Sequence, residues 1–286
     1  MIRRVGIFCK PRKQDLCSVV PPLVNWLRDR GLEVFLDPSA AQSCPEHESV
    51  ASEDALRSES DLVIVLGGDG TLLAAVRLMQ DREVPILPVN LGSLGFMTSV
   101  TLDEMYPLLE QTLMGSDRVS ERMALQAEVV RNSSVVRAQR ALNDAVVHQA
   151  ALARLMEFHL HVDGSHVGRY RADGLIVSTP TGSTAYSLAA GGPIVHPDIH
   201  AFVITPICPH MLTNRPLVVP DASRIEITFT HDGKPVHVTL DGQVGMELEL
   251  GDRIMITKSP KRVLLVQPPR KSYFEVLQSK LRWGES

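Results

Sequence analysis

The chain has 286 residues, 44% hydrophobic and 22% charged, which is the composition of an ordinary globular protein. Its net charge of −4 lacks the basic excess of a protein that coats nucleic acid, so we expect no nucleic-acid partner. No apolar run approaches the roughly 18 residues of a membrane span. Because the four cysteines form no Cys-x-x-Cys pair and suggest no disulfide framework, we predict a cytoplasmic protein without a membrane partner.

Residues 1–118 alternate strand and helix patterns. The residues at 61–66 are apolar nearly throughout, which is typical of a strand covered on both faces. Gly31 stands where a helix would end. Strands that alternate with helices predict an α/β domain built on a parallel sheet. The patterns predict strands at 4–9, 32–36, 61–66 and 84–89, and helices at 20–30, 102–114 and directly after the glycine-rich stretch 66–71.

From residue 119 to residue 268, alternation with a period of two replaces this pattern and predicts a mainly β domain. Asp232-Gly233 lies between two of the alternating runs and indicates a hairpin turn that joins them. Residues 269–286 form a tail, which is predicted to be a short helix. The alternating runs are found at 156–162, 225–229 and 236–240.

The stretch Leu-Gly-Gly-Asp-Gly-Thr at 66–71 joins a buried strand to a helix. An open parallel sheet binds ligands at the carboxyl ends of its strands, and glycine N–H groups at a helix N-terminus attract anions. The stretch is not a P-loop, and it is not a dinucleotide fingerprint, because Leu73 replaces the third glycine. We predict a phosphate loop that consists of Gly67, Gly68, Gly70 and Thr71.

Asp69 places a negative charge in the middle of this phosphate loop, where it would repel a phosphate. A lone Asp-Gly is most often a turn or a helix cap. Beside phosphates, however, a carboxylate can hold a divalent metal, or it can accept the proton of a hydroxyl that attacks the γ-phosphate. We predict the second role, because phosphoryl transfer needs mainly positioning and charge stabilisation.

Further segments follow the phosphate loop in chain order and narrow the substrate. Together they resemble the NAD kinases, most closely the bacterial members, whereas the loop alone also resembles diacylglycerol and sphingosine kinases and, more distantly, phosphofructokinases. The segments are Gly67–Thr71, Asn90–Phe96, Asn143-Asp144, Asp173–Ser187 and Ala190–Pro193, with Asp241-Gly242-Gln243 after them.

This resemblance implies a reaction and an architecture. NAD would bind between the α/β domain and the β domain, and the γ-phosphate of ATP would pass to the 2′-hydroxyl of its adenosine ribose, giving NADP. Asp69 matches the family's proton acceptor. The resemblance also implies a divalent metal, usually Mg²⁺, for which we assign no protein side chain as a direct ligand, and a homo-oligomer, either a dimer or a tetramer.

The resemblance further assigns residues to the NAD site. Asn143 and Asp144 would contact the nucleotide, although most members have Asn-Glu there and aspartate is one methylene shorter. Asp173 would contact the nicotinamide end, where a carboxylate can accept hydrogen bonds from the carboxamide. Arg154 and Arg171 would line the site, since a guanidinium suits a pyrophosphate. Other expected contacts are Asp69 and Gly70, the adenine-binding residues Thr184, Ala185, Tyr186, Ser187, Leu188 and Ala189, and Gln243.

Two alternatives stay open from the residues themselves. A lipid or sugar kinase could use the same phosphate loop, but the segment 173–193 is rich in Gly, Ser and Thr, which suits a polar ligand. A dinucleotide sensor without activity would be expected to lose its acidic residue first, whereas Asp69 is present.

Overall fold

The computed structural model describes residues 2–9, 16–43, 52–92, 94–116, 118–149, 156–211, 213–230, 235–268 and 271–283. The chain divides into a first unit, residues 1–121 with 263–286, and a second unit, residues 122–262. Each unit has its own hydrophobic core. None of the helices in the described ranges is long and apolar enough to cross a membrane. Cys9, Cys17 and Cys208 are free thiols.

Strands and helices alternate in the first unit, as predicted. The strands of this region pair in parallel, and all five residues of the central strand at 62–66 are buried. The predicted parallel α/β domain is therefore confirmed. In chain order the elements are β1 (Arg4–Cys9), α1 (Leu16–Arg28), β2 (Glu33–Leu36), α2 (Pro38–Gln42), α3 (Glu53–Glu59), β3 (Leu62–Leu66), α4 (Asp69–Met79), β4 (Pro85–Val89), α5 (Leu102–Leu113) and β5 (Arg118–Arg122).

Helix α1 begins one turn earlier than predicted. The helix extends to Leu16, which is buried together with the later apolar residues of the helix, and it contains Pro21 and Pro22. Gly31 ends the helix as predicted, with a φ of 73°. The N–H of Leu32 bonds to the carbonyl oxygen of Leu27 at 3.2 Å, which is the pattern of a glycine-terminated helix.

The second unit is built from two antiparallel sheets and a short helix. Alternate residues of the strands face its core, which confirms the predicted mainly β domain. The elements are β6 (Leu125–Arg131), β7 (Ser134–Ala141), β8 (Asp144–Gln149), β9 (Met156–Val162), β10 (Ser165–Ala172), β11 (Gly174–Ser178), a 3₁₀ turn (Thr181–Thr184), α6 (Tyr186–Ala189), β12 (Ala201–Ile207), β13 (Leu217–Pro220), β14 (Ile225–Thr230), β15 (Val236–Leu240), β16 (Val244–Leu248) and β17 (Arg253–Lys258).

The predicted hairpin between residues 225–229 and 236–240 is wrong. One sheet has the order β10-β9-β14-β17-β6-β7 and the other β13-β12-β11-β8-β15-β16, so β14 and β15 belong to different sheets. Asp232-Gly233 lies outside the described residues. The hairpin of this region is the one between β15 and β16, which Asp241 and Gly242 connect.

After β17 the chain returns to the first unit with β18 (Val263–Gln267) and α7 (Tyr273–Leu281). Strand β18 pairs in parallel with β4, giving the sheet order β2-β1-β3-β4-β18-β5. The predicted end of the β domain at residue 268 stays a prediction; residues 263–267 belong to the first unit by their contacts, and an apolar strand pattern does not show which sheet receives the strand. In the tail, the Nζ of Lys271 donates hydrogen bonds to the carbonyl oxygen of Ser99 at 3.0 Å and to the carboxylate of Glu104 at 2.7 Å.

Candidate active site

The phosphate loop turns from the end of β3 into α4. The N–H of Gly67 bonds to the carbonyl oxygen of Val89 at 2.9 Å, so it continues the sheet and does not point at a ligand. A Cβ at Gly67 would lie 2.8 Å from the Cβ of Thr71, a distance that only glycine avoids. Gly68 is the N-cap residue of α4, whose first N–H groups have no partner within the helix and carry its positive dipole end. The anion-attracting part of the loop is therefore the start of α4.

The carboxylate of Asp69 receives four hydrogen bonds from the segment 96–98. Its Oδ2 accepts from the N–H of Phe96 at 2.9 Å. Its Oδ1 accepts from the N–H of Met97 at 3.2 Å, and from the N–H and the hydroxyl of Thr98 at 3.0 and 2.9 Å. A carboxylate has about four lone-pair sites, roughly two per oxygen, so Oδ1 is saturated while Oδ2 has room for one more donor.

Gly95 allows this segment to approach Asp69. A Cβ at Gly95 would overlap both Oδ1 of Asp69 and the hydroxyl of Thr98. The glycine of the Asn90–Phe96 segment thus has a steric reason, which is the close approach of the backbone to the carboxylate.

A cavity of about 580 Å³ opens in the second unit, a volume in the range of small-molecule sites. Five of the predicted site residues line this cavity. These are Asn143, Asp144, Asp173, Ala185 and Tyr186. The other lining residues, which were not predicted as contacts, are Val146, His148, Gln149, Ile207, Cys208, Thr239, Asp241 and Gly242.

Asp241 organises one end of this cavity. Its carboxylate accepts the backbone N–H groups of Leu142, Asn143 and Asp144 at 3.0, 2.7 and 3.3 Å. Asp241 and Gly242 have φ angles of 50° and 62°, and the N–H of Gln243 bonds to the carbonyl oxygen of the residue before them. Asp241 and Gly242 are thus the two central residues of a turn with positive φ at both positions, a conformation that favours Asp-Gly, and residues 241–243 connect β15 to β16. The turn aims the Asp241 carboxylate at the start of β8.

The segment after β11 holds the start of β8 from the other side. The N–H of Thr179 bonds to the carbonyl oxygen of Asn143 at 2.8 Å, and its hydroxyl bonds to that of Leu142 at 2.6 Å. Gly182 packs against Asn143 so closely that any Cβ there would overlap its backbone. The Asn-Asp pair and the Thr-Gly-Ser-Thr segment are distant in sequence but form one structure around the cavity.

Asp144 is a buried carboxylate, with 4% of its surface exposed. Burial, and secondly the charge of Asp241, raise the pKa of Asp144 to about 7. Among the residues that the structure describes, none donates a hydrogen bond to its carboxylate. A buried polar group without a partner is costly, and here it faces a cavity that a ligand can fill.

The remaining predicted residues lie in less enclosed places. Tyr186 and Asp173 are on the cavity wall with exposed side chains. Ser187 is fully buried, and its hydroxyl bonds with that of Thr205 at 2.9 Å. Arg154 lies outside the described residues. Arg171, Thr184, Leu188, Ala189 and Gln243 are not part of the cavity lining, and Asp69 and Gly70 belong to the first unit.

Asp241 and His148 are among the eight lining residues that were not predicted as contacts. The Nε2 of His148 lies 2.9 Å from the hydroxyl of Thr239, one strand away. Nothing local to His148 indicated this position. Asp241-Gly242, in contrast, stands between two alternating runs, and that hairpin signal could have located the turn.

A glycine turn that leads from a parallel strand into a helix, with a hydrogen-bonded carboxylate on the first helical residue, is a structure suited to phosphoryl transfer. The second unit adds a cavity of about 580 Å³ whose lining includes the carboxylates of Asp144, Asp173 and Asp241. These features define the class of protein as a nucleotide-dependent phosphotransferase.

Comparison with known proteins identifies the family. Residues 5–116 match the ATP-NAD kinase N-terminal domain and residues 142–268 match the ATP-NAD kinase C-terminal domain. The chain is 48% identical to the NAD kinase of Geotalea daltonii over 286 residues, covering 99% of this chain and 100% of the relative. It is 45% identical to that of Solibacter usitatus over 285 residues, covering 100% and 99%. The chain therefore belongs to the NAD kinase family.

Solved structures agree with this assignment. Yeast NADH kinase complexed with NADH superposes with a TM-score of 0.92 at 26% identity, covering 100% of this chain and 89% of the other. An NAD kinase from Archaeoglobus fulgidus in complex with ATP gives a TM-score of 0.77 at 26% identity, covering 98% of each chain. These matches favour NAD kinase over the lipid-kinase and sugar-kinase alternatives.

Proposed function

We propose that the chain is an NAD kinase, which transfers the γ-phosphate of ATP to the 2′-hydroxyl of the adenosine ribose of NAD and releases NADP and ADP. The observation that carries the proposal is the Asp69 carboxylate, fixed by four hydrogen bonds at the start of α4 with Oδ2 able to accept one more. Family membership supports the choice of substrates, as do the related structures that contain NADH and ATP.

Asp69 is the general base of the proposed reaction. The 2′-hydroxyl donates its proton to Oδ2 while its oxygen forms a bond to the γ-phosphorus, and the bond from that phosphorus to the β,γ-bridging oxygen breaks. The electron pair of that bond leaves with ADP. Fixing the carboxylate in advance removes the cost of ordering it during the reaction, which is how positioning lowers the barrier.

The second-unit cavity is the proposed place of the nucleoside part of NAD. The carboxylate of Asp144, which receives no hydrogen bond from the described part of the chain, can accept hydrogen bonds from ribose hydroxyls, while Asp173 can accept from an amide NH₂. The Tyr186 ring, 47% exposed, offers a face on which a base can stack.

A divalent cation completes the proposal. The structure describes no group of three or more His, Cys, Asp or Glu side chains that could hold a metal ion. Mg²⁺ usually keeps several waters and binds substrate phosphates, so a cation brought by the phosphates of ATP needs no protein side chain as a direct ligand here. Such a cation would neutralise charge on the transferred phosphoryl group.

The reaction is tested by incubating the purified protein with NAD, ATP and Mg²⁺ and measuring NADP with an NADP-specific dehydrogenase. Wild type should form NADP, and Asp69→Asn should not, while remaining folded by circular dichroism. Asp54→Asn is the matched control, because Asp54 has a side chain that is 89% exposed on α3 of the same unit, and it should act like wild type.

The outcomes separate the alternatives. NADP formation by Asp69→Asn at the wild-type rate would exclude Asp69 as the base. Tight NAD binding by a folded wild-type protein, without turnover with ATP or polyphosphate, would replace the proposal by the sensor function.

We also propose that the chain assembles as a homo-oligomer, a dimer or a tetramer, as the family resemblance implies. Light scattering during size-exclusion chromatography would measure the mass of the assembly. A mass equal to the 31.4 kDa of one chain at micromolar concentration would exclude this assembly.

A further inference from the structure

Two buried residues of the first unit, Asn90 and Thr98, are linked to Asp69 by hydrogen bonds. Thr98 is fully buried and Asn90 is 7% exposed. The side-chain amide of Asn90 donates to the hydroxyl of Thr98 at 3.0 Å and to its carbonyl oxygen at 3.2 Å. The hydroxyl of Thr98 in turn donates to Oδ1 of Asp69 at 2.9 Å. Asn90, Thr98 and Asp69 therefore form a chain of hydrogen bonds inside the protein.

The direction of this chain is set by the other partner of Asn90. The N–H of Gly92 donates to Oδ1 of Asn90 at 2.6 Å, which identifies that atom as the carbonyl oxygen and the other as the NH₂ nitrogen. Because the NH₂ group donates to the hydroxyl of Thr98, that hydroxyl must use its single proton elsewhere. The acceptor at hand is Oδ1 of Asp69, so the proton points at the carboxylate.

We propose that Asn90 and Thr98 are positioning residues for the general base: they hold Oδ1 of Asp69 and thereby assign the proton of the 2′-hydroxyl to Oδ2. This inference rests on the proposed function, since it concerns the same carboxylate. Three donors on Oδ1 and one on Oδ2 leave the carboxylate one orientation that satisfies all four bonds.

Substrate binding, in contrast, should not depend on the hydroxyl of Thr98. Thr98 is fully buried and so touches neither substrate. Loss of its hydroxyl removes one of the three donors to Oδ1 and lets the carboxylate turn. A small displacement of a catalytic group such as this carboxylate can lower the rate of the reaction about 100-fold. The expected signature is a loss of kcat with an unchanged KM.

The test uses three variants of the full chain in the NAD, ATP and Mg²⁺ assay. Thr98→Val keeps the size of the side chain and removes the hydroxyl, whereas Thr98→Ser keeps the hydroxyl. Thr112→Val is the matched control, because Thr112 is also buried in this unit and its hydroxyl bonds to the carbonyl oxygen of Leu108 at 2.9 Å, within α5. Measurements are kcat, KM for NAD and for ATP, and Tm.

We expect Thr98→Val to lower kcat about 10- to 100-fold with both KM values within about twofold of wild type. Thr98→Ser should restore kcat to within about threefold of wild type, and Thr112→Val should keep it, even where Tm falls by a similar amount in both valine variants. A purely structural role of Thr98 would lower Tm without separating kcat from KM.

A folded Thr98→Val with wild-type kcat would overturn the inference. If Thr98→Val does not fold, Thr98→Ser decides, because a 10-fold or larger loss of kcat despite the retained hydroxyl would also overturn it. Asp69→Asn in the same series separates the two proposals. An inactive Asp69→Asn beside a fully active Thr98→Val refutes the positioning chain alone, and an active Asp69→Asn refutes the base itself.

Discussion

Asp69 in the first unit and Asp144 in the second are both carboxylates of the proposed site, but their surroundings differ. Asp69 accepts four hydrogen bonds from the segment 96–98. Asp144 accepts none from the described residues, and burial together with the charge of Asp241 raises its pKa to about 7. Hydrogen-bond donors from the protein, and not burial alone, decide whether a carboxylate is fixed in one orientation or needs a ligand to supply its hydrogen bonds.

The largest effect is expected at Gly95, where an added methyl group would break the arrangement around Asp69. Gly95→Ala forces the Cβ into Oδ1 of Asp69 and the hydroxyl of Thr98, so the carboxylate must move. We expect kcat for NADP formation to fall at least about 100-fold. Gly168→Ala is the control, because its Cβ would meet nothing closer than 3.7 Å, and its kcat should stay near the wild-type value. Equal kcat values for the two variants would contradict this account.

The next effect concerns a third carboxylate, Asp252, which is buried like Asp144 but has a partner. Arg131 binds both of its oxygens, at 2.8 and 2.9 Å, and this hydrogen bonding lowers the pKa of Asp252. Arg131→Met would leave the buried charge with the backbone N–H of Glu249 but without a cation, which costs about 3 kcal/mol of unfolding free energy at pH 7. Urea unfolding measures the loss.

The pH dependence of the Arg131→Met variant follows from the sign of the shift. The lowered pKa of Asp252 contributes stability that is present above about pH 4 and is lost as the pH falls, so the variant should approach wild type once the pH lies below the lowered pKa. Arg169→Met, at a side chain 61% exposed beside Glu157, should cost less than about 1 kcal/mol. A similar loss in both variants would show that burial of the partner does not matter.

Asp144→Asn should stabilise the protein without ligand while weakening the binding of NAD. The pKa of Asp144 rises from 3.8 to about 7 on folding. The free energy of unfolding of wild type therefore decreases as the pH rises between these two pKa values, and it does not recover at higher pH. At pH 8 the variant should be more stable by about 2–4 kcal/mol, at about 1.4 kcal/mol per unit, and nearly equal to wild type at pH 4. Its KM for NAD should rise.

Asp173→Asn is the matched control, since Asp173 lines the same cavity with an exposed side chain and pays no burial cost. The Asp173→Asn variant should not show the gain in unfolding free energy that is expected for Asp144→Asn. Unfolding curves in urea from pH 4 to pH 8 would measure both variants. A pH-independent difference between Asp144→Asn and wild type would contradict the raised pKa.

The smallest effect is expected at Asp241, whose charge is the second cause of the raised pKa of Asp144. Asp241→Asn keeps an oxygen for the backbone N–H groups of Asn143 and Asp144 but removes the charge. The pKa of Asp144 should then lie lower, so the decline of stability with pH should end at a lower pH. We expect the net change in stability at pH 7 to stay within about 1 kcal/mol, because a lost bond to Leu142 offsets the relief of charge. An unchanged pH profile would remove Asp241 as a cause.

Local patterns in the sequence were enough to predict the loop and its neighbours. The apolar strand at 62–66 and the glycines after it predict where Asp69 lies, because strand, turn and helix follow one another within a few residues. The family resemblance supplied Asn143 and Asp144, which the structure places in the cavity.

Contacts between distant segments could not be predicted in this way. The bonds from Asp241 to residues 142–144 span almost 100 positions, and periodicity within a strand contains no information about its neighbour in the sheet. The same limit explains why the hairpin predicted at 232–233 is wrong and why the sheet that receives β18 could not be predicted. Thr98 carried no signal at all, since a buried threonine has the same local pattern whether or not it bonds to Asp69.

The return of β18 to the parallel sheet has a consequence for how the protein is made. Residues 122–262 form a continuous piece that can fold as soon as it leaves the ribosome, whereas the strand between β4 and β5 is synthesised last. At about 5–20 residues per second, β4 waits on the order of ten seconds for its neighbour, with an open edge that other chains could pair with. A nascent chain that stops before residue 263 would therefore lack the strand that joins β5 to the sheet and would keep an open edge at β4, although β1, β3 and β4 beside Asp69 are already present.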